Sequence, residues 1–237
     1  MKLSAPIFHL KRKAKLLSRK EKIPLHEALD RVAKAEGFRK WSLLSARVCG
    51  TSTAEALFRQ FGPGEIVLLG SRPGQGKTVM GLRLLVEAMK AGRQGVFFTL
   101  ECSTQDVTNL VRTIGVQHGK FNTLFDLDCS DEISAELIIN RMANALRGSV
   151  AVIDFLQLLD QQRHKPPLMD QIRALKVFAQ DKGLIFIFLS QIDRSYDSSM
   201  RALPDLRDVR LPNPLDLSLF NKTCFLHAGE VQLRAVS

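Results

Sequence analysis

Four short apolar runs, 66–69, 95–100, 150–153 and 184–189, alternate with segments of helical period near 77–91, 104–118, 132–147 and 168–182. Strands that are apolar on both sides must be covered on both faces. A helix between successive strands returns the chain to the same edge, which sets up parallel pairing. Such crossovers are right-handed. The expectation is an α/β fold with a mainly parallel sheet flanked by helices. Two later runs, 223–227 and 231–234, flank Ala228-Gly229-Glu230 and predict a terminal hairpin.

The first of those strands ends in Ser71-Arg72-Pro73-Gly74-Gln75-Gly76-Lys77-Thr78, and a helix starts at Lys77. A strand, a glycine-rich turn and Lys-Thr opening a helix is the context of a phosphate cradle. Successive N–H groups line a concavity, and the helix aims its positive end at the same point. Lys77 would reach the outer phosphates of a nucleotide, and the Thr78 hydroxyl would hold Mg²⁺. Lys77 is expected as an exposed ammonium whose loss leaves the core untouched. Ser71 stands where such loops usually begin with glycine, although Gly70 precedes it.

Two other strands end in carboxylates. Ala151-Val152-Ile153-Asp154 places Asp154 beside the loop, where it suits the metal's water shell. Val96 to Leu100 leads to Glu101, a candidate to polarise the attacking water. The plainer role for Glu101 is an acid ahead of a helix, favoured by the helix dipole. Leu189-Ser190-Gln191 ends a third strand in an amide that suits a γ-phosphate sensor, or is simply a polar strand end.

These segments together resemble the RecA-like core of the DnaB-type replicative helicase family. "RPGQGKT" resembles that family's P-loop, "FFTLECS" its Ser-Leu-Glu-Met segment and "VIDFLQLL" its Asp-Tyr-Leu-Gln-Leu run. "LSQIDR" and "LPDLRD" resemble its Ser-Gln-Leu-Asn-Arg and Asp-Leu-Arg-Glu stretches, so the likeness covers about residues 62–233. It implies a P-loop NTPase with ATP and Mg²⁺ as cofactors. By the same resemblance residues 71–78 would bind phosphate, Thr78 and Asp154 would serve the metal, Glu101 would be the base and Gln191 the sensor. Arg112 matches a helix arginine near the nucleotide. The family's C-terminal Lys-x-Arg-Asn-Gly segment, a basic finger acting on a neighbour's ATP, has no counterpart after Glu230. The expectation is therefore an ATPase short of a processive helicase.

Charge is unevenly placed. Of the net +10, residues 1–47 hold eight Lys and five Arg against four acids (13 − 4 = +9). A clustered basic element is the footprint of a polyanion, here nucleic acid and by the resemblance single-stranded DNA; the plainer reading is a solvated helical face. Residues 5–22 and the stretch from Pro24 to Gly37 have helical spacing, and Phe38, Trp41, Leu43 and Leu44 add an apolar patch. The expected division is a basic helical unit at 1–47, a linker with a short helix at 48–61 and the ATP-binding domain at 62–237. The segment 25–44 is similar to a helical module at the start of small plasmid-associated proteins. Arginines 163, 194, 201, 207 and 210 mark two loops suited to nucleic acid, or to water alone.

No apolar run approaches the ~18 residues of a membrane span, and the N-terminus lacks a secretory pattern. The four cysteines and five histidines show no metal-ligand spacing. A cytoplasmic protein, assembling into a ring or filament, is the expectation. The rival function is a nucleotide-gated interaction module with little turnover, and a third is a metabolic P-loop kinase.

Overall fold

A computed structural model describes residues 4, 5, 7–48, 51–114, 123–130, 132–160, 166–193, 195, 196, 203–211, 213–227 and 230–236. The expected strands appear as β1 (Ile66–Ser71), β2 (Gly95–Thr99), β4 (Val150–Asp154) and β5 (Ile185–Gln191), with the hairpin as β6 (Lys222–His227) and β7 (Glu230–Ala235). An additional strand, β3 (Phe125–Asp128), lies at the edge of the sheet. The seven strands run in the order β3-β2-β4-β5-β1-β6-β7. All neighbours are parallel except β6 and β7.

Strand alternation sorts the core into two layers. Ile66, Leu68, Phe98, Ile153, Phe186 and Phe188 face the helices α7 (Ala135–Met142) and α8 (Leu168–Lys182). Val67, Leu69, Phe97, Val152, Ile187 and Leu189 face α5 (Lys77–Lys90) and α4 (Thr51–Phe58). The α4 helix lies within 48–61, and its Ala54, Leu57 and Phe58, with Phe61, belong to this second layer. The segment expected mainly to connect is thus built into the core.

The N-terminal helices are α1 (Ile7–Glu21), α2 (Leu25–Ala35) and α3 (Trp41–Val48). Leu10, Ala14, Ala28, Val32, Trp41 and Leu44 form a cluster of their own. The end of α2 is closed by Phe38 N–H donating to Ala33 O at 2.9 Å and Gly37 N–H to Lys34 O at 3.0 Å. The Trp41 N–H donates to Asp30 Oδ1 at 2.8 Å, which starts α3 against α2. A unit of this size buries little by itself, and α3 packs on α5 and on α6 (Thr104–Thr113).

Two helices are shorter than their periodicity predicts. The 104–118 pattern gives α6 to Thr113, with 115–122 outside the described residues, and 132–147 gives α7 to Met142.

Candidate nucleotide site

The carboxyl ends of β2, β4, β5 and β1 lie side by side. Thr99 is level with Asp154, Asp154 with Leu189, and Gln191 with Ser71. In open α/β sheets this edge is where ligands bind.

Ser71 is the last residue of β1, fully buried and paired with Gln191 and Leu226. Its position is extended strand, which a side chain tolerates, so the missing first glycine costs the turn little. The glycine requirement has moved one residue back: a Cβ on Gly70 would lie 2.8 Å from the Phe225 ring. Beyond Ser71 the turn closes through Gln75 N–H donating to Arg72 O at 3.2 Å. Arg72 is half-buried at its base, and Pro73 and Gly74 form the exposed rim. Gly74 and Gly76 have φ of +74° and +90°, and a Cβ on either would meet nothing within 4 Å. Left-handed backbone beside open space is the shape of an anion nest. The helix α5 starts there with Gly76 as its N-cap and no side-chain cap. The residues present therefore fit a phosphate group.

Behind the loop sits a cluster of charge. The Lys77 ammonium donates to Asp154 Oδ1 at 3.0 Å and to Glu101 Oε2 at 3.1 Å. The Thr78 hydroxyl donates to the other oxygen of Asp154 at 2.7 Å. The Phe155 ring lies 5.2 Å from the ammonium. Asp154 is completely buried and Lys77 is 7 % exposed. This corrects the expectation of an exposed ammonium: the strand-end carboxylate is buried and draws the lysine in. Burial works to lower the Lys77 pKa, but the charges of Asp154 and Glu101, with hydrogen bonds to both, outweigh it and raise the pKa. The neighbouring Cys102 thiol is pushed up to about 11, first by burial and then by Asp154, Asp106 and Glu101. Thr78 and Asp154, the two residues expected to serve Mg²⁺, share one hydrogen bond, and their oxygen donor set suits a hard cation.

Glu101 stands outside the helix-start role. Ser103 is the N-cap of α6 and forms a capping box with Asp106, while Glu101 turns to Lys77. Its backbone N–H donates to Thr99 Oγ1 at 3.1 Å, and Thr99 is fully buried. Gln191 is half-buried at the end of β5, one strand from the loop. Arg112 sits in the last turn of α6. Residues 161–165, 194 and 201 lie outside the described residues; Arg207 and Arg210 are described.

Sequence reading missed Thr99, Phe155 and Gln157. A signal existed for Gln157, a lone amide inside the apolar run after Asp154, and it is 8 % exposed.

Fold and loop together define a RecA-like, P-loop nucleotide-binding domain of the DnaB type. The family described as "ATPase: KaiC" matches residues 54–203, more than half of the chain, and the chain belongs to that family. A replicative DNA helicase DnaB from Leifsonia xyli is 22% identical over 192 residues, covering 68% of this chain and 42% of the relative. A DnaB replicative helicase from Helicobacter pylori (strain J99) is 26% identical over 210 residues, covering 74% of this chain and 42% of the relative. The chain thus spans about two fifths of the length of these relatives. Among solved structures, a DnaB-like replicative helicase described with its primase interactions superposes with a TM-score of 0.54 at 19% identity, covering 69% of this chain and 47% of that one. A KaiC-like protein from Pyrococcus horikoshii gives a TM-score of 0.53 at 17% identity, covering 73% and 80%.

Proposed function

We propose that this chain binds ATP with Mg²⁺ at residues 71–78 and hydrolyses it in the service of nucleic-acid metabolism. The observation that carries the reading is the Lys77 ammonium held between Asp154 and Glu101, beside an open nest. Loop N–H groups and Lys77 take the phosphates, and Thr78 and Asp154 hold the metal. Bound there, Mg²⁺ would neutralise charge on the phosphate oxygens. When Lys77 turns from the carboxylates to the phosphates, Glu101 is released to accept a proton from water. Gln191 reports the terminal phosphate from the end of β5. On this reading 62–237 does the nucleotide work and 1–47 offers basic charge to single-stranded DNA. Subunits assemble into a ring or filament in the cytoplasm. Among the described residues no helix is long and apolar enough to cross a membrane.

A second reading, a nucleotide-gated module with little turnover, is favoured by the Lys77–Glu101 ion pair, which keeps the base engaged. Phosphate release with and without Mg²⁺ and single-stranded DNA separates the two. Metal-dependent turnover that rises with DNA supports the first reading, and tight ATP binding without turnover supports the second. Turnover only with a small-molecule acceptor would point to a kinase. Particle size with and without ATP and Mg²⁺ tests the assembly.

A further inference from the structure

The carboxyl edge of the sheet carries a pair of thiols that the nucleotide reading leaves unused. β2 and β3 run parallel with Phe98 level with Asp128, and Cys129 is the first residue beyond β3. The bend that follows Thr99 brings Cys102 to the same place, where the Cys129 thiol donates to the Cys102 carbonyl at 3.6 Å. Both positions are held from the sides. The Ser130 N–H donates to Asp128 Oδ1 at 2.9 Å, which closes the turn around Cys129. Ser103, next to Cys102, is the capped start of α6, and Glu101, on the other side, has its N–H on Thr99 Oγ1. Cys129 is exposed and Cys102 half-buried, whereas Cys224 is fully buried on β6. Neither Cys102 nor Cys129 lies within a strand or helix, so side chain and backbone can both adjust to the geometry that a bond between them requires.

We propose that Cys102 and Cys129 form a reversible disulfide under oxidation, and that this bond restrains Glu101 and slows ATP hydrolysis. The restraint rests on the reading above that Glu101 is the base of an ATPase; the bond itself does not. Glu101 is paired with Lys77 at 3.1 Å and leaves it to accept a proton. Cys102 is the next residue, so a bond from it to the end of β3 removes freedom from the joint on which Glu101 turns. The oxidant is a peroxide. The exposed Cys129 thiolate attacks it: an S–O bond forms, the O–O bond breaks, and the departing hydroxide takes up a proton. The products are a sulfenic acid and one water. The Cys102 sulfur then attacks the Cys129 sulfur. The S–S bond forms, the S–O bond breaks, and the hydroxyl leaves with the Cys102 proton as a second water. The two sulfurs together give up two electrons, which the peroxide accepts. Burial, and then the charges of Asp154, Asp106 and Glu101, push the Cys102 thiol up to about 11, which leaves the first step to Cys129. In a reducing compartment such a bond is transient, and a dithiol reverses it by exchange.

The test uses the full chain, treated with hydrogen peroxide in slight molar excess and digested with trypsin without reduction. Peptides 94–112 and 121–141 carry Cys102 and Cys129 separately, so the bond appears as the two joined and two hydrogens lighter than their sum. The oxidised wild type should show this species. Its phosphate release should fall by about tenfold or more, part of what a general base contributes, and dithiothreitol should restore it. Cys129→Ser, a change at an exposed position, should hydrolyse ATP as the wild type does and be indifferent to peroxide. Cys102→Ser should give no joined peptides and serves as the second variant. Hydrogen exchange at the Glu101 amide should slow on oxidation in the wild type and not in Cys129→Ser. Absence of the joined peptides in the wild type, or joining to Cys49 or Cys224 instead, overturns the bond. A joined wild type with unchanged turnover overturns the restraint, as does a loss of turnover that persists in Cys129→Ser. A loss that dithiothreitol does not reverse overturns the reversible bond as its cause. A reduced wild type that hydrolyses no ATP defeats the ATPase reading and the restraint on hydrolysis, while joined peptides and slower Glu101 exchange would still support the bond.

Discussion

The two charged regions of this molecule are built on opposite plans. At the carboxyl edge of the sheet a few charges are buried and mutually satisfied: Lys77, Asp154 and Glu101 lie within 3.1 Å contacts, and Asp154 has no exposure. On α1 there are many charges, and Arg12, Lys13, Lys15, Arg19 and Lys20 are all exposed. The first arrangement is costly to build and specific, because an ion taken from water must be repaid by partners. The second is cheap and diffuse, and salt screens it. Net charge, which counts every ionised group alike, locates the second region and is silent about the first.

The sharpest way to break the comparison is Lys77→Ala. Two charge-assisted hydrogen bonds are lost, and a phosphate ligand loses its ammonium. ATP affinity should fall by roughly a hundredfold or more, at about 1.5–3 kcal/mol per such bond. Because Asp154 is buried, the variant should also lose stability, by as much as about 3–5 kcal/mol. Lys77→Ala combined with Asp154→Asn should recover much of the melting temperature and none of the binding. If Lys77→Ala binds ATP normally by calorimetry, the buried cluster has no part in phosphate recognition.

Next in size is Glu101→Gln. The amide keeps the shape and cannot take a proton, so turnover should fall by about 10²–10⁴-fold with ATP binding retained. Single-turnover kinetics beside equilibrium binding make the check. If Asp154→Asn gives that profile and Glu101→Gln is silent, the base has been placed on the wrong strand.

Gly70→Ala probes how tightly the same edge is built. Its Cβ would lie 2.8 Å from Phe225 and 3.1 Å from Ile192, so the ring must move. A loss of about 1–3 kcal/mol is expected in urea unfolding. An unchanged midpoint would mean that Phe225 yields freely and that the loop's anchor is softer than its packing implies.

Much of this edge was legible in the sequence because local patterns wrote it. The runs ending at Leu69, Ile153 and Leu189 are apolar throughout, which specifies interior parallel strands, and Lys77-Thr78 at a helix start specifies the loop. β3 escaped because Phe-Asp-Leu-Asp alternates carboxylates with apolar residues on a strand whose four positions are all half-buried. An edge strand needs no continuous apolar run. The burial of Lys77 escaped for a different reason: it depends on Asp154 and Glu101, residues 77 and 24 positions away, meeting it in space. The hydrogen bond from Gln157 Nε2 to the Arg210 carbonyl joins residues 53 positions apart, which no local pattern records.

The smallest effect expected, and the one that tests the diffuse region, comes from neutralising α1. Arg12→Gln, Lys13→Gln and Lys20→Gln together remove three exposed charges and leave Leu10 and Ala14, which pack the helical unit, in place. Surface changes of this kind move stability by only about 0.5 kcal/mol or less. ATP binding should be unaltered, because the phosphate nest lies on residues 71–78. What should change is the salt dependence of binding to single-stranded DNA, since each phosphate neutralised releases counterions and contributes about 0.7 log units per log of salt. A triple variant that loses part of that slope in a fluorescence titration assigns these charges to the nucleic acid. An unchanged slope with intact folding would leave α1 as a solvated face.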